Sequence, residues 1–400
     1  MKVLSIVFLF GTVAFAATSD QAVAGPKLSQ LDPTTRSGLV HLYNLEYDQA
    51  IADFETTYKA HPDDPFAVNH LLQAVLLKEL YRLNALDTTL YADNGFLTGK
   101  PLPGDPKVKV RIRELTEQAL ALSEARIKAD PKDVDALYAR GVTRGLKLSY
   151  VAIVEKSFFS ALRNATASRK DHEKVLALDP SYTDAKLVVG LHNYIIGSLP
   201  LAAKILIGIV GITGSKDKGL SYLEEVGKTN SDTSVDARVT LSLFLRREAR
   251  YEDALKVQRT LIQQYPRNFL FALEEANLLK DAGRGEDAIK TYGRIIAAGK
   301  QGAFSDPHLE RAVFGLAEVE KGYRHPDSAL EHYKEALALP SLEPDVRIRA
   351  LLGAGMMRDI LGRRNEALRD YQAVVAIDAE SSQAGLARKY IKDPYRYPGH

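Results

Sequence analysis

Four hundred residues, 46% of them apolar and 26% charged, have the composition of a folded globular chain. The 53 basic and 51 acidic residues nearly cancel, to a formal charge of +2, so the chain lacks the excess cation that tracking a phosphate backbone requires and nucleic acid is not expected as a partner. Cysteine is absent, which excludes disulfides and lipidation at a cysteine.

Read in chain order, the first element is a leader. Met1-Lys2 is a short basic start, Val3 to Phe15 is apolar apart from Ser5, Gly11 and Thr12, and Ala14-Phe15-Ala16 supplies the small residues of a cleavage site. The run is shorter than the roughly 20 apolar residues a span needs. This predicts a signal peptide over residues 1–16, cut after Ala16, and a linker over 17–30. An exported chain without cysteine is expected in the bacterial periplasm, held by packing alone.

Residues 31–235 carry an irregular helical pattern. Tyr47-Asp-Gln-Ala50-Ile-Ala-Asp-Phe54 places a small and a bulky apolar residue one helical turn apart and runs on to Pro62. Ala119 to Pro131 repeats the pattern with Ser123 at the bulky position, and Lys174 to Pro180 has the same exit. Three inserts interrupt it. Residues 84–106, rich in Gly, Pro and Asp, read as a loop. Residues 141–170 are too long for one ordinary hairpin, which predicts an extended first helix or hairpin loop. Residues 198–214, SLPLAAKILIGIVGITG, are apolar with one charge, Lys204; they read either as a buried hairpin or as a membrane contact, and Pro200 and the internal glycines favour burial.

Residues 236–390 are regular. The strings from Tyr251 to Gln258, Gly285 to Tyr292, Pro326 to Tyr333 and Arg364 to Tyr371 align on Ala254, Ala288, Ala329 and Ala367, at spacings of 34, 41 and 38 residues. The alanine lets two helices approach; the residue four later, aromatic in three copies, fills the space one turn on. An acid just before each alanine sits in a first helical turn, where the dipole favours it. Residues 391–400 are a tail.

Across about residues 31–390 these strings resemble tetratricopeptide repeats. The chain departs from that pattern in having no tryptophan and few Leu-Gly pairs on the first helices. The resemblance implies an all-α fold, an α-solenoid of about seven or eight helix hairpins, whose first helices line a concave groove that binds a peptide or protein segment. Leu199 to Leu206, with Gly211 and Asp217 to Leu220, are similar to a eukaryotic tetratricopeptide family associated with mitochondria and lipid bodies, over residues 185–226.

Nothing in the chain spells a catalytic site. No HExxH or Gly-X-Ser-X-Gly occurs, and His332 with Glu335 is a lone pair on one helical face. In Gly208 to Lys216 serine precedes lysine, the reverse of a phosphate loop. No enzyme, metal or cofactor is therefore expected. Mapping the family's groove positions gives Arg246 and Arg247, Asn277 and Lys280, Arg311 and Lys321, and Arg349 as partner-binding candidates, with Asp236, Asp281, Glu318 and Asp359 beside them. The cations suit a partner's carboxylates. The alternative is an envelope or lipid adaptor that touches membrane through residues 198–214.

Overall fold

The computed structural model describes residues 31–91, 101–199, 213–340, 342 and 344–398, with Phe158 and Phe159 described by backbone alone. The expected leader and linker, and residues 200–212 of the apolar insert, lie outside them. So does the middle of the local likeness over residues 185–226.

Among the described residues there are seventeen α-helices and no strand. Sixteen form eight hairpins in chain order: α1 (Pro33–Tyr43) with α2 (Tyr47–Ala60), α3 (Pro65–Arg82) with α4 (Pro106–Ala129), α5 (Val134–Ile153) with α6 (Phe158–Leu178), and α7 (Lys186–Ser198) with α8 (Lys216–Gly227). The regular half supplies α9 (Ser234–Arg247) with α10 (Tyr251–Gln264), α11 (Phe269–Asp281) with α12 (Gly285–Lys300), α13 (Leu309–Gly322) with α14 (Pro326–Ala338), and α15 (Pro344–Ile360) with α16 (Arg364–Ile377). Helix α17 (Ser382–Lys392) covers the last hairpin. The insert at 141–170 is a long pair: α5 has 20 residues and α6 has 21.

The helix starts are written locally. Asp32-Pro33, Asp64-Pro65 and Asp105-Pro106 each place a capping carboxylate before a proline at the first helical position, and each Asp accepts from backbone N–H groups of the first turn. The hairpin turns share one geometry. Leu45, Ala249, Gly283, Arg324 and Gly362 all have φ between 55° and 74°. After each, the next N–H donates to a carbonyl five residues back, as Arg284 does to Leu279 at 2.9 Å and His325 to Glu320 at 2.9 Å. That is the closing bond of a Schellman turn.

Packing follows the small-then-bulky pattern. Ala254, Ala288, Ala329 and Ala367 are fully buried, as are Tyr292, Tyr333 and Tyr371. Each ring is pinned from two sides. The Tyr292 hydroxyl donates to Asn277 on its own first helix at 2.6 Å, and a Cβ on Gly315 of the next hairpin would meet the ring at 2.7 Å. Tyr333 likewise donates to Glu318 and abuts Gly353. Phe54 takes the same place in the N-terminal half, against Gly38. Consecutive helices pack throughout, and first helices also touch the next first helix, α3 with α5 and α11 with α13. They therefore form the inner layer of a solenoid. Among the described residues, no helix is long and apolar enough to cross a membrane.

Candidate functional site

Part of the inner layer is taken by the chain itself. The first three helices and the turn after α3 curl into the concave face of α9, α11 and α13. Tyr43 stacks obliquely on Tyr265, and its carbonyl accepts from Asn268 at 2.7 Å. Tyr81 donates to the Asp306 carbonyl and lies edge-on to His308. Beyond α3, Asp87 pairs with Arg311 at 2.5 Å, Thr88 donates to Glu274 at 2.5 Å, and the Tyr91 carbonyl accepts from Arg247 at 2.8 Å. The 3-10 turn Thr88–Tyr91, in the segment read as a loop, thus lies where the pattern expects a partner peptide.

The seven sequence-derived candidates are placed accordingly. Arg246 is buried, paired with Glu274 at 3.0 Å and Asp281 at 2.6 Å. Arg247 and Arg311 hold the 87–91 segment, and Asn277 accepts the Tyr292 hydroxyl. Lys280 lies 3.5 Å from Asp281, and Lys321 is 2.7 Å from Glu318. Arg349 reaches Asp345 at 3.4 Å and covers the Phe314 ring. They do not converge on one cavity. His332 pairs with Glu320, not Glu335. No group of three or more side chains among the described residues is arranged to hold a metal ion.

A different part of the concave face is open. Between α3, α5, α7 and α9 lies a cavity of about 210 Å³. One wall is apolar, from Val142 and Leu146 of α5 and Leu187 and Leu191 of α7. The other carries Asp184, Asp232 and Asp236. No Lys or Arg of the described residues lines it. The nearby Arg140 and Arg144 are both committed to Asp171, at 2.7 and 2.5 Å. Asp184 is 1% exposed; its Oδ1 accepts from Ser231 at 2.5 Å, while its Oδ2 forms no hydrogen bond of normal geometry although the Thr233 hydroxyl lies beside the carboxyl. Asp232 pairs through Oδ2 with His70 at 3.2 Å, and its Oδ1 is likewise unmet. Asp236 accepts from Gln73 at 3.1 Å.

Burial, reinforced by the charge of Asp232, pushes the carboxyls of Asp184 and Asp236 up to about 7. Burial holds the neighbouring His172 below its usual range, and its Nδ1 bonds the Ser168 carbonyl at 2.8 Å. Sequence reasoning named Asp236 only as a countercharge and missed Asp184 and Asp232. Each of the latter stands two residues before a first helix, a position that reads as an ordinary cap. Yet the N-caps of α7 and α9 are Ala185 and Thr233, and neither helix start has a side-chain cap bond. An acid before a helix that is not spent on the helix was the available signal, and it needed the structure to be seen.

The fold is of the tetratricopeptide type. That rests on the chain's own hairpins, their αL turns and their Ala–Tyr anchors. Similar solved structures include yeast Tom70, at 12% identity and TM-score 0.42 over 90% of this chain and 87% of that one. Human IFIT1 with m7Gppp-AAAA is similar at 12% identity and TM-score 0.43, over 90% and 82%. A tetratricopeptide repeat protein from Parabacteroides merdae is similar at 12% identity and TM-score 0.34, over 80% and 97%. No family model matches the chain, and no curated protein matches it in sequence.

Proposed function

We propose that the protein is a non-catalytic scaffold, exported on its 1–16 leader to the periplasm, that holds a segment of another protein on the open concave face formed by α3, α5, α7 and α9. One observation carries the reading: this stretch of the inner layer keeps an apolar-walled cavity of about 210 Å³ lined by three acids, whereas residues 42–91 occupy the stretch along α9, α11 and α13 and leave about 120 Å³ there. Arg247 and Arg311, drawn from the sequence as partner contacts, then serve to hold the chain's own turn. Lys280, Lys321 and Arg349 remain as flanking contacts for a longer guest. IFIT1 in the structure above holds a capped RNA. Here three carboxylates and no Lys or Arg line the cavity among the described residues, which repels polyphosphate and favours a protein guest.

The test is site-specific photo-crosslinking in cells. A crosslinker at Thr240, on the cavity wall, should capture a discrete partner band, while one at Lys128, exposed on α4, should not. Equal capture at both positions, or at neither, removes the reading. Mass determination of the mature N-terminus should give Ala17.

A further inference from the structure

Resting on the scaffold reading, we infer that the acidic cavity between α3, α5, α7 and α9 is a subsite for a primary ammonium on an apolar stem, the chemistry of a lysine side chain presented by the bound segment. The acids are not merely clustered: Asp184 Oδ2 and Asp232 Oδ1 are buried carboxylate oxygens with no hydrogen bond, both on residues that line the cavity. Leaving such oxygens unmet is costly, and a guest that brings donors recovers that cost.

The pattern of engaged oxygens selects the cation. Asp184 and Asp232 each have one oxygen already taken, by Ser231 and His70, and Asp236 is engaged by both Gln73 and Tyr43. None therefore presents both oxygens to the planar fork of a guanidinium. The two unmet oxygens, on separate acids, suit individual N–H donors of an ammonium. The apolar wall of Val142, Leu146, Leu187 and Leu191 suits the methylene stem that a lysine lays along such surfaces. A hard divalent ion would want six or more oxygens instead. At about 210 Å³ the cavity is below the ~300 Å³ typical of a whole small-molecule site, which fits one side chain.

The experiment selects displayed 12-residue peptides on the mature protein and reads affinity by calorimetry. Selected peptides should share a lysine, and replacing it with norleucine, which keeps the four-carbon stem and lacks the ammonium, should weaken binding to the wild type about tenfold. Asp184→Asn, which keeps the Ser231 bond, should erase that difference; Asp232→Asn is the second variant, and circular dichroism checks that both fold. Peptides captured without lysine preference, or with a preference that both variants retain, overturn the subsite and leave the scaffold reading standing. A parallel titration uses acetyl-lysine-amide and 1,5-diaminopentane. If no peptide is captured and only the free diamine binds, in a manner lost in Asp184→Asn, the lysine assignment and the scaffold reading both fall. If peptides are captured and neither small amine binds the wild type, the lysine preference alone decides, upholding the subsite when present and ending it when absent. If no probe binds, the inference is overturned.

Discussion

Asp184 ties stability to pH in a direction that can be worked out. Its folded carboxyl is pushed up to about 7, above the unfolded value, so the folded state holds the proton longer. The associated stability is complete below about pH 4 and is lost as pH rises toward 7. Asp184→Asn removes that loss. Urea denaturation should therefore show the variant gaining on the wild type between pH 5 and pH 8, by on the order of 1 kcal/mol or more. A gain that does not grow with pH would contradict the burial of an unmet carboxylate. Glycines give a second residue-scale contrast. Gly293 is exposed on α12 with open space around it, so Gly293→Ala should stabilise by up to about 1 kcal/mol. At Gly315 the added Cβ would meet the Tyr292 ring at 2.7 Å, and that ring is fully buried. Gly315→Ala should instead cost about 1–3 kcal/mol in the same denaturation series.

At the scale of the element, each hairpin is closed by a left-handed residue and a tyrosine clasp. Gly283 and Gly362 adopt φ of 74° freely, whereas Ala249 at 55° and Arg324 at 61° carry a Cβ into the same region. Ala249→Gly should raise the melting temperature by an amount corresponding to about 0.5–1 kcal/mol, because the relieved strain exceeds the added unfolded-state entropy. No increase would mean that the turn is not strained. The clasp is probed by Tyr292→Phe. It leaves the buried Asn277 Oδ1 without its donor, and should cost about 1–3 kcal/mol without changing helical content.

The whole molecule is a solenoid that closes on itself. Asp87 and Arg311 are 224 positions apart in sequence, yet each side chain is only 11–12% exposed in their ion pair. Asp87→Ala removes a carboxylate from a mostly buried guanidinium and should destabilise by about 1–3 kcal/mol. Amide exchange should speed up at Thr88–Tyr91, and the radius of gyration from small-angle scattering should grow as α1–α3 swing away. Unchanged exchange at those amides would show that the segment is held by other contacts.

The repeat itself was legible in one dimension. The Ala–Tyr spacing, the Asp-Pro starts and the αL glycines act within one or two helical turns, so local sterics and capping determine the hairpins. For residues 141–170 length alone offered an extended first helix or an extended hairpin loop, and did not say that α5 and α6 would run to 20 and 21 residues. Which cations face a guest could not be read either. Arg247 and Arg311 have the same local spacing whether they meet a partner or the chain's own turn, and it is the superhelical path that brings residues 87–91 to them. The acidic cavity lay beyond sequence for the same reason. Asp184 belongs to the α7 hairpin and Asp232 and Asp236 to the α9 hairpin, and their shared burial arises from how four first helices curve around one space, a property of the stacked array that no single repeat encodes.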